Sequence, residues 1–345
     1  MEILSTITIL FVVIALPFLR KPFFSIPKKE TEINFDRLPF FDFLKGIAIV
    51  AVICIHCIYQ QILTLPLGHE HALFFLNNLL RFTIPFFFIL SGVLLNPNEK
   101  NWKRFYTKKI SRLLIPYILC VLAIGIYTEM PLKDVFLQSF TGRLALPYYF
   151  IIVLFQMYLF YPLFLRWKKY KWFLPLILGI SVCSFFIPQT WLLFGIPTAF
   201  QYLFFFVYGI AKRDLFLSSN AQKQNAFPWV MMICIYIALL FFYPDYYYNT
   251  RYVYGPALIH IAFILKDKLY SQNTIGKFIE KLGKKSLWIF LTHYLIVLLT
   301  YKFFQNTINN YWINFFFLIS FATFGSILFA FFIEKIYSFV QKKLP

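Results

Sequence analysis

The chain is a succession of apolar runs, most of them about as long as a bilayer is thick, parted by short polar stretches. The runs fall near residues 3–19, 43–64, 77–95, 112–128, 147–165, 172–188, 193–211, 227–243, 251–266, 286–303 and 312–334. A water-soluble core cannot absorb so many continuous apolar segments. Hydrocarbon can, and there the backbone satisfies its own hydrogen bonds as helix. Composition agrees: hydrophobic residues make up 60% of the chain and charged residues 14%, against about 25% charged in soluble domains. The expected fold is therefore all-α, a polytopic membrane helical bundle of about eleven transmembrane helices. No internal repeat is evident. The first run, ILSTITILFVVIALPF, leads straight into basic residues and reads as a retained anchor helix. The chain then divides into an anchor and linker, residues 1–36, and one membrane domain, residues 37–345.

A net charge of +19 would suggest nucleic acid in a soluble protein. Here 28 of the 33 lysines and arginines fall in alternate loops. The charge then expresses topology, with attraction to anionic lipid as a secondary effect. This bias puts the N-terminus outside and the C-terminus in the cytoplasm and leaves no role for nucleic acid; abundant Phe, Tyr, Asn and Lys fit an AT-rich bacterial genome, so a bacterial plasma membrane is expected. The opposite side is aromatic, with YPDYYYNTRYVYG at 243–255 and LPLGHEH at 65–71. The tyrosines read either as an interfacial belt or as a sugar-contacting surface. His69 and His71 flank Glu70, but in a loop with Pro and Gly this spacing is a weak ligand signal, and no metal site is expected.

The run FLKGIAIVAVICIHCIY, residues 43–59, carries two ionisable residues into the membrane. Such residues are costly in hydrocarbon and are commonly functional. Asp42, Lys45 and His56 are separated by steps that return to one helical face at ~100° per residue. Lys45 and His56 are roughly 16 Å apart along the axis, so they do not bond to each other. The pattern is a polar stripe running from one membrane surface to a buried histidine. In RFTIPFFFILSGVLL, residues 81–95, Arg81 precedes Pro85, and Ser91-Gly92 closes the run. A guanidinium there suits a carboxylate, a phosphate or an oxyanion, while Ser-Gly suits close helix approach. WKRFYTKKISRLLIPYIL, residues 102–119, sets Lys109 and Arg112 at the cytoplasmic mouth. They serve topology or a multiply phosphorylated donor.

FDFLKGIAIVAVICIH resembles the first core helix of the acyltransferase-3 superfamily of integral membrane O-acyltransferases, in which an arginine precedes an essential histidine by eleven residues. RFTIPFFFILSG is similar to that family's next helix, which ends in Ser-Gly-Phe, and KKISRLLIP to its Arg-x-x-Arg segment. LPYYFIIVLFQMYLFYPLF (146–164) and SLWIFLTHYLIV (286–297) resemble its later helices. The resemblance runs from about residue 37 to 335 and implies a ten-helix core preceded by one extra helix. Lys45 stands where the family has arginine, Lys109 opens the Arg-x-x-Arg segment, and Val93 replaces the aromatic. Lysine keeps the charge but loses bidentate hydrogen bonding.

The resemblance implies transfer of an acyl group, acetyl in the commonest case, from a cytoplasmic acyl-CoA to a hydroxyl of a cell-surface polysaccharide or lipid-linked glycan. His56 would be the base, since neutral imidazole titrates near neutrality. Lys45 and Arg81 would stabilise the oxyanion or guide the donor. Lys109, Arg112, Ser91 and Gly92 would receive the donor. Asp42 is too far along the helix to orient His56, and His293 is the family counterpart for that support, or else a packed helix residue. No cofactor is expected beyond acyl-CoA as donor substrate. The residues do not separate direct transfer from an acyl-histidine relay. Two other readings fit a polar bundle interior: a transporter or flippase for polysaccharide or a small solute, and a non-catalytic subunit of a glycan synthase.

Overall fold

In the stretch from Pro39 to Ile62 most side chains are apolar, and apart from the narrow stripe of Asp42, Lys45 and His56 no broad polar face is left to turn toward water. A helix apolar all round must be buried by other helices or by lipid. The computed structural model describes residues 38–63, 71–142, 144–184, 198–242, 251–304 and 310–343. In it this stretch is the helix α1 (Pro39–Ile62), begun by Pro39, whose missing N–H costs nothing in the first turn, and by Asp42, whose charge complements the helix dipole. Buried residues make up 72% of its apolar window, against 22% for Trp312–Lys335. The first helix therefore runs through the middle of the bundle and the last lies at its periphery.

The remaining elements follow in order: α2 (His71–Leu80), α3 (Thr83–Val93), α4 (Trp102–Lys109), a π-helical turn (Ile110–Leu114), α5 (Ile115–Tyr127), α6 (Leu132–Thr141), α7 (Tyr149–Leu159), α8 (Tyr161–Trp167), α9 (Phe173–Cys183), α10 (Phe200–Leu217), α11 (Phe227–Phe242), α12 (Arg251–Ile264), α13 (Lys266–Leu269), α14 (Thr274–Lys284), α15 (Ser286–Phe304) and α16 (Tyr311–Lys343). Every regular element among the described residues is helical. Among the described residues five stretches are long and apolar enough to cross a bilayer, or six if the bent pair 132–159 is one span. The several apolar helices make this a multi-pass membrane protein. The expected spans at 172–188, 227–243 and 251–266 are occupied by shorter helices of 11, 16 and 14 residues. The expected anchor helix at 3–19, like His69, Glu70 and residues 243–250, lies outside the described residues.

Glycines let two helix pairs approach to backbone contact. A Cβ on Gly92 of α3 would strike the Phe206 carbonyl oxygen of α10, and one on Gly209 of α10 would strike that of Ile89. The same reciprocity joins α14 to α1: Gly283 faces the Asp42 carbonyl and Gly46 that of Ile279. Helix α14 falls in a stretch that the hydropathy pattern leaves as a polar connection. Tyrosine hydroxyls tie other helices by donating to backbone oxygens, Tyr148 to Leu291 at 2.7 Å and Tyr161 to Asn96 at 2.9 Å. Tyr252 and Tyr254 belong to this set and not to a surface belt. Both are buried, and their hydroxyls bond to Gln201 at 2.6 Å and Leu79 at 2.9 Å.

Candidate active site

Proline creates the first element of the site. Pro85 has no N–H to give to the carbonyl of Arg81, so the helical ladder cannot close there. The span His71–Val93 opens at Arg81–Phe82, between α2 and α3. The side chain of Arg81 faces a cavity of about 170 Å³. Helix α1 contributes Val52, Ile55, His56 and Tyr59 to the same cavity; Thr83 and Ile84 come from α3, and Leu146, Pro147, Tyr149 and Phe290 complete it. His56 is the seventeenth residue after Pro39 in a 24-residue helix. At ~1.5 Å per residue it lies roughly 26 Å from the start of α1 and about 9 Å from its end. The histidine therefore lies in the second half of α1.

Helix α15 brings a second imidazole to the site. The rings of His56 and His293 have centroids 5.1 Å apart, and Tyr294 packs edge-on to His56 at 5.5 Å. His293 is fully buried, and its Nδ1 lies 2.6 Å from the Phe290 carbonyl oxygen. A carbonyl only accepts, so Nδ1 carries the hydrogen and Nε2 keeps its lone pair. Nε2 has no hydrogen-bond partner among the described residues. The Thr83 hydroxyl is likewise buried and without a partner among them. A buried polar atom left unmet is uncommon; the Thr83 hydroxyl lines this cavity, and His293 stands behind His56. Of the lining residues, Phe290 stands 5.1 Å from Phe150, which stands 4.6 Å from Phe88.

The other residues singled out in the sequence lie elsewhere. Lys45 does not line the cavity; its ammonium pairs with Asp42 at 3.2 Å near the start of α1. Gly92 packs against α10, and Ser91 stands beside it, partly exposed. Lys109 ends α4 with its Nζ 4.2 Å above the Tyr158 ring. Arg112 is exposed in the π-helical turn that joins α4 to α5. Such turns are rare and frequently mark functional sites. Sequence reasoning missed Thr83, Tyr149 and Phe290. Each sits inside an apolar or aromatic run where nothing distinguishes it. Only the family motif pointed to His293.

The fold and the cavity define a multi-pass helical membrane protein with two histidines and a guanidinium gathered at one buried site. The family model of the acyltransferase-3 family, described as an acyltransferase domain, matches residues 38–331. The chain belongs to that family and is accordingly a membrane acyltransferase. No curated protein and no solved structure gave a match.

Proposed function

We propose that the protein moves an acyl group, acetyl in the simplest case, from a cytoplasmic acyl-CoA to a hydroxyl of a cell-surface polysaccharide or lipid-linked glycan. One observation carries the proposal. His56 makes no hydrogen bond among the described residues, faces a cavity shared with Arg81, and has the lone pair of a second imidazole beside it. A histidine held for structure alone ordinarily has at least one ring nitrogen engaged.

The chemistry follows from these groups. The acceptor hydroxyl gives its proton to His56 as its oxygen attacks the thioester carbonyl carbon. The carbonyl oxygen becomes an oxyanion, which Arg81 meets with its charge. The C–S bond then breaks, the thiolate takes the proton from the imidazolium, and the ester stays on the glycan. His293 accepts a hydrogen bond at Nε2 and so holds the imidazolium or an acceptor hydroxyl in place. Thr83 offers a hydroxyl to the bound sugar. Lys109 and Arg112 receive the donor phosphates, and Lys45, paired with Asp42, lies at the same face. The cavity sits toward the far end of α1. In the orientation given by the charge bias, that is the outer half, where a surface glycan arrives.

The test is the ester content of surface polysaccharide from a deletion strain complemented with wild type or His56→Ala at equal membrane abundance. Wild type should restore the esters, and the variant should fall at least about 100-fold below it, the usual loss of a general base. Equal restoration would remove His56 from the chemistry. Unchanged esters with reduced glycan export would instead make the protein a transporter.

A further inference from the structure

A second cavity, of about 370 Å³, opens at the face where α1 begins and α12 ends. Its floor is aromatic: Phe40, Phe41, Phe216 and Phe263, with Phe216 and Phe263 4.7 Å apart and Phe40 packed edge-on to Phe263 at 5.2 Å. Among the described residues its rim holds one cation, Lys266, whose Nζ stands 5.8 Å over the Phe40 ring. Lys266 has no carboxylate partner among the described residues. Beside it, Leu265 and Leu269 point outward four residues apart, 36% and 45% exposed. Apolar side chains facing out next to lysines, at the point where membrane helices start and stop, place this rim at headgroup depth.

The cavity wall is held in advance. Gln224 donates from Nε2 to the Ala221 carbonyl at 2.8 Å, and its Oε1 lies 2.7 Å from His260 Nδ1. The Tyr208 hydroxyl lies 2.7 Å from His260 Nε2. Since the amide oxygen only accepts, Nδ1 donates to it and Nε2 accepts from the tyrosine. Trp229 stacks on that imidazole at 3.8 Å. The fully buried histidine thus has both nitrogens engaged, and the chain of bonds ties the loop that lines the cavity to α10 and α12.

We propose that this cavity seats one anionic phospholipid, with its phosphodiester on Lys266 and a segment of acyl chain on the aromatic floor. One negative charge matches one lysine. A nucleotide carries several charges and would need more cationic partners than the described residues of the rim provide. Occupancy would brace Phe40 and Phe41 in the first turn of α1, the helix that carries His56. The inference does not depend on the acyl-transfer reading.

The experiment uses the full chain in neutral detergent, stripped of lipid, with phosphatidylglycerol added in steps and the unfolding temperature read. Wild type should rise saturably. Lys266→Gln should need roughly fivefold more lipid for half of the rise, the factor that about one surface lysine contributes toward an anionic lipid. Ser219→Trp, which sets an indole over the exposed rim, should abolish the saturable rise. Both variants alter exposed or half-exposed side chains and should unfold like wild type without lipid. Equal half-saturation in all three proteins, or no rise in wild type, would overturn the proposal. So would a rise with inorganic phosphate or adenosine diphosphate and none with phosphatidylglycerol.

Discussion

Two basic groups meet in the candidate site, and the chemistry asks different things of them. In the proposed reaction the imidazole of His56 gains and loses a proton. The guanidinium of Arg81 has to keep its charge throughout and present a planar fork of donors. Removing one donor to an oxyanion costs about 10²–10³ in rate, so Arg81→Ala should lower kcat by roughly that factor with acyl-CoA as donor. Arg81→Lys should recover part of it, because the charge remains while the fork is lost. Steady-state kinetics on the purified enzyme decides this, and equal kcat in all three proteins would take Arg81 out of the site. The histidine and the arginine were legible in the sequence because an ionisable residue in an apolar run has to be accounted for. Their meeting was not. They are 25 positions apart, one on α1 and one in the break between α2 and α3, and no local pattern encodes how these pack. Lys45, which shares the helix with His56, looks as prominent in the sequence yet pairs with Asp42 some ~16 Å away along the axis.

Element α14 has the opposite relation to its sequence. TIGKFIEKLGK reads as a polar connection, yet it folds as an amphipathic helix clasped to α1 through Gly46 and Gly283. Apolar residues in it are too few to register in a scan for membrane spans, and contact between backbones leaves no hydropathy signal. Its polar edge is also built: Glu280 pairs with Lys284 and accepts from the Tyr270 hydroxyl at 2.7 Å. The Lys284 hydrogen bond, followed by that from Tyr270, holds the Glu280 carboxyl below the usual glutamate range. A carboxyl more acidic in the folded state contributes stability above its unfolded pKa, about 4.3, and loses it as pH falls through the folded value. The unfolding temperature should therefore hold steady from neutrality down to about pH 5 and decline below about pH 4. Glu280→Gln should start lower at neutral pH and show a shallower acid decline. Parallel curves for the two proteins would mean that the clasp does not depend on this carboxylate.

For the whole molecule, the buried α1 and the more exposed α16 bear on which residues can carry chemistry, and the charge bias gives the orientation expected of them. Class and helical character were legible because hydropathy is a property of long windows. Span boundaries were less so, because prolines and glycines break or shorten runs that look continuous, as Pro85 does at Arg81. Orientation matters to the mechanism. A cavity near the far end of α1 serves an outside acceptor only if α1 starts in the cytoplasm. In a cysteine-free background, Ser219→Cys lies at the face where α1 begins and Lys133→Cys at the opposite face, both exposed. A membrane-impermeant maleimide on intact cells should label the position at 133 and leave that at 219 unlabelled until the membrane is opened. The reverse pattern would turn the His56 cavity toward the cytoplasm. Donor and acceptor would then have to meet on the same side, and the separation of Lys109 and Arg112 from the cavity would lose its purpose.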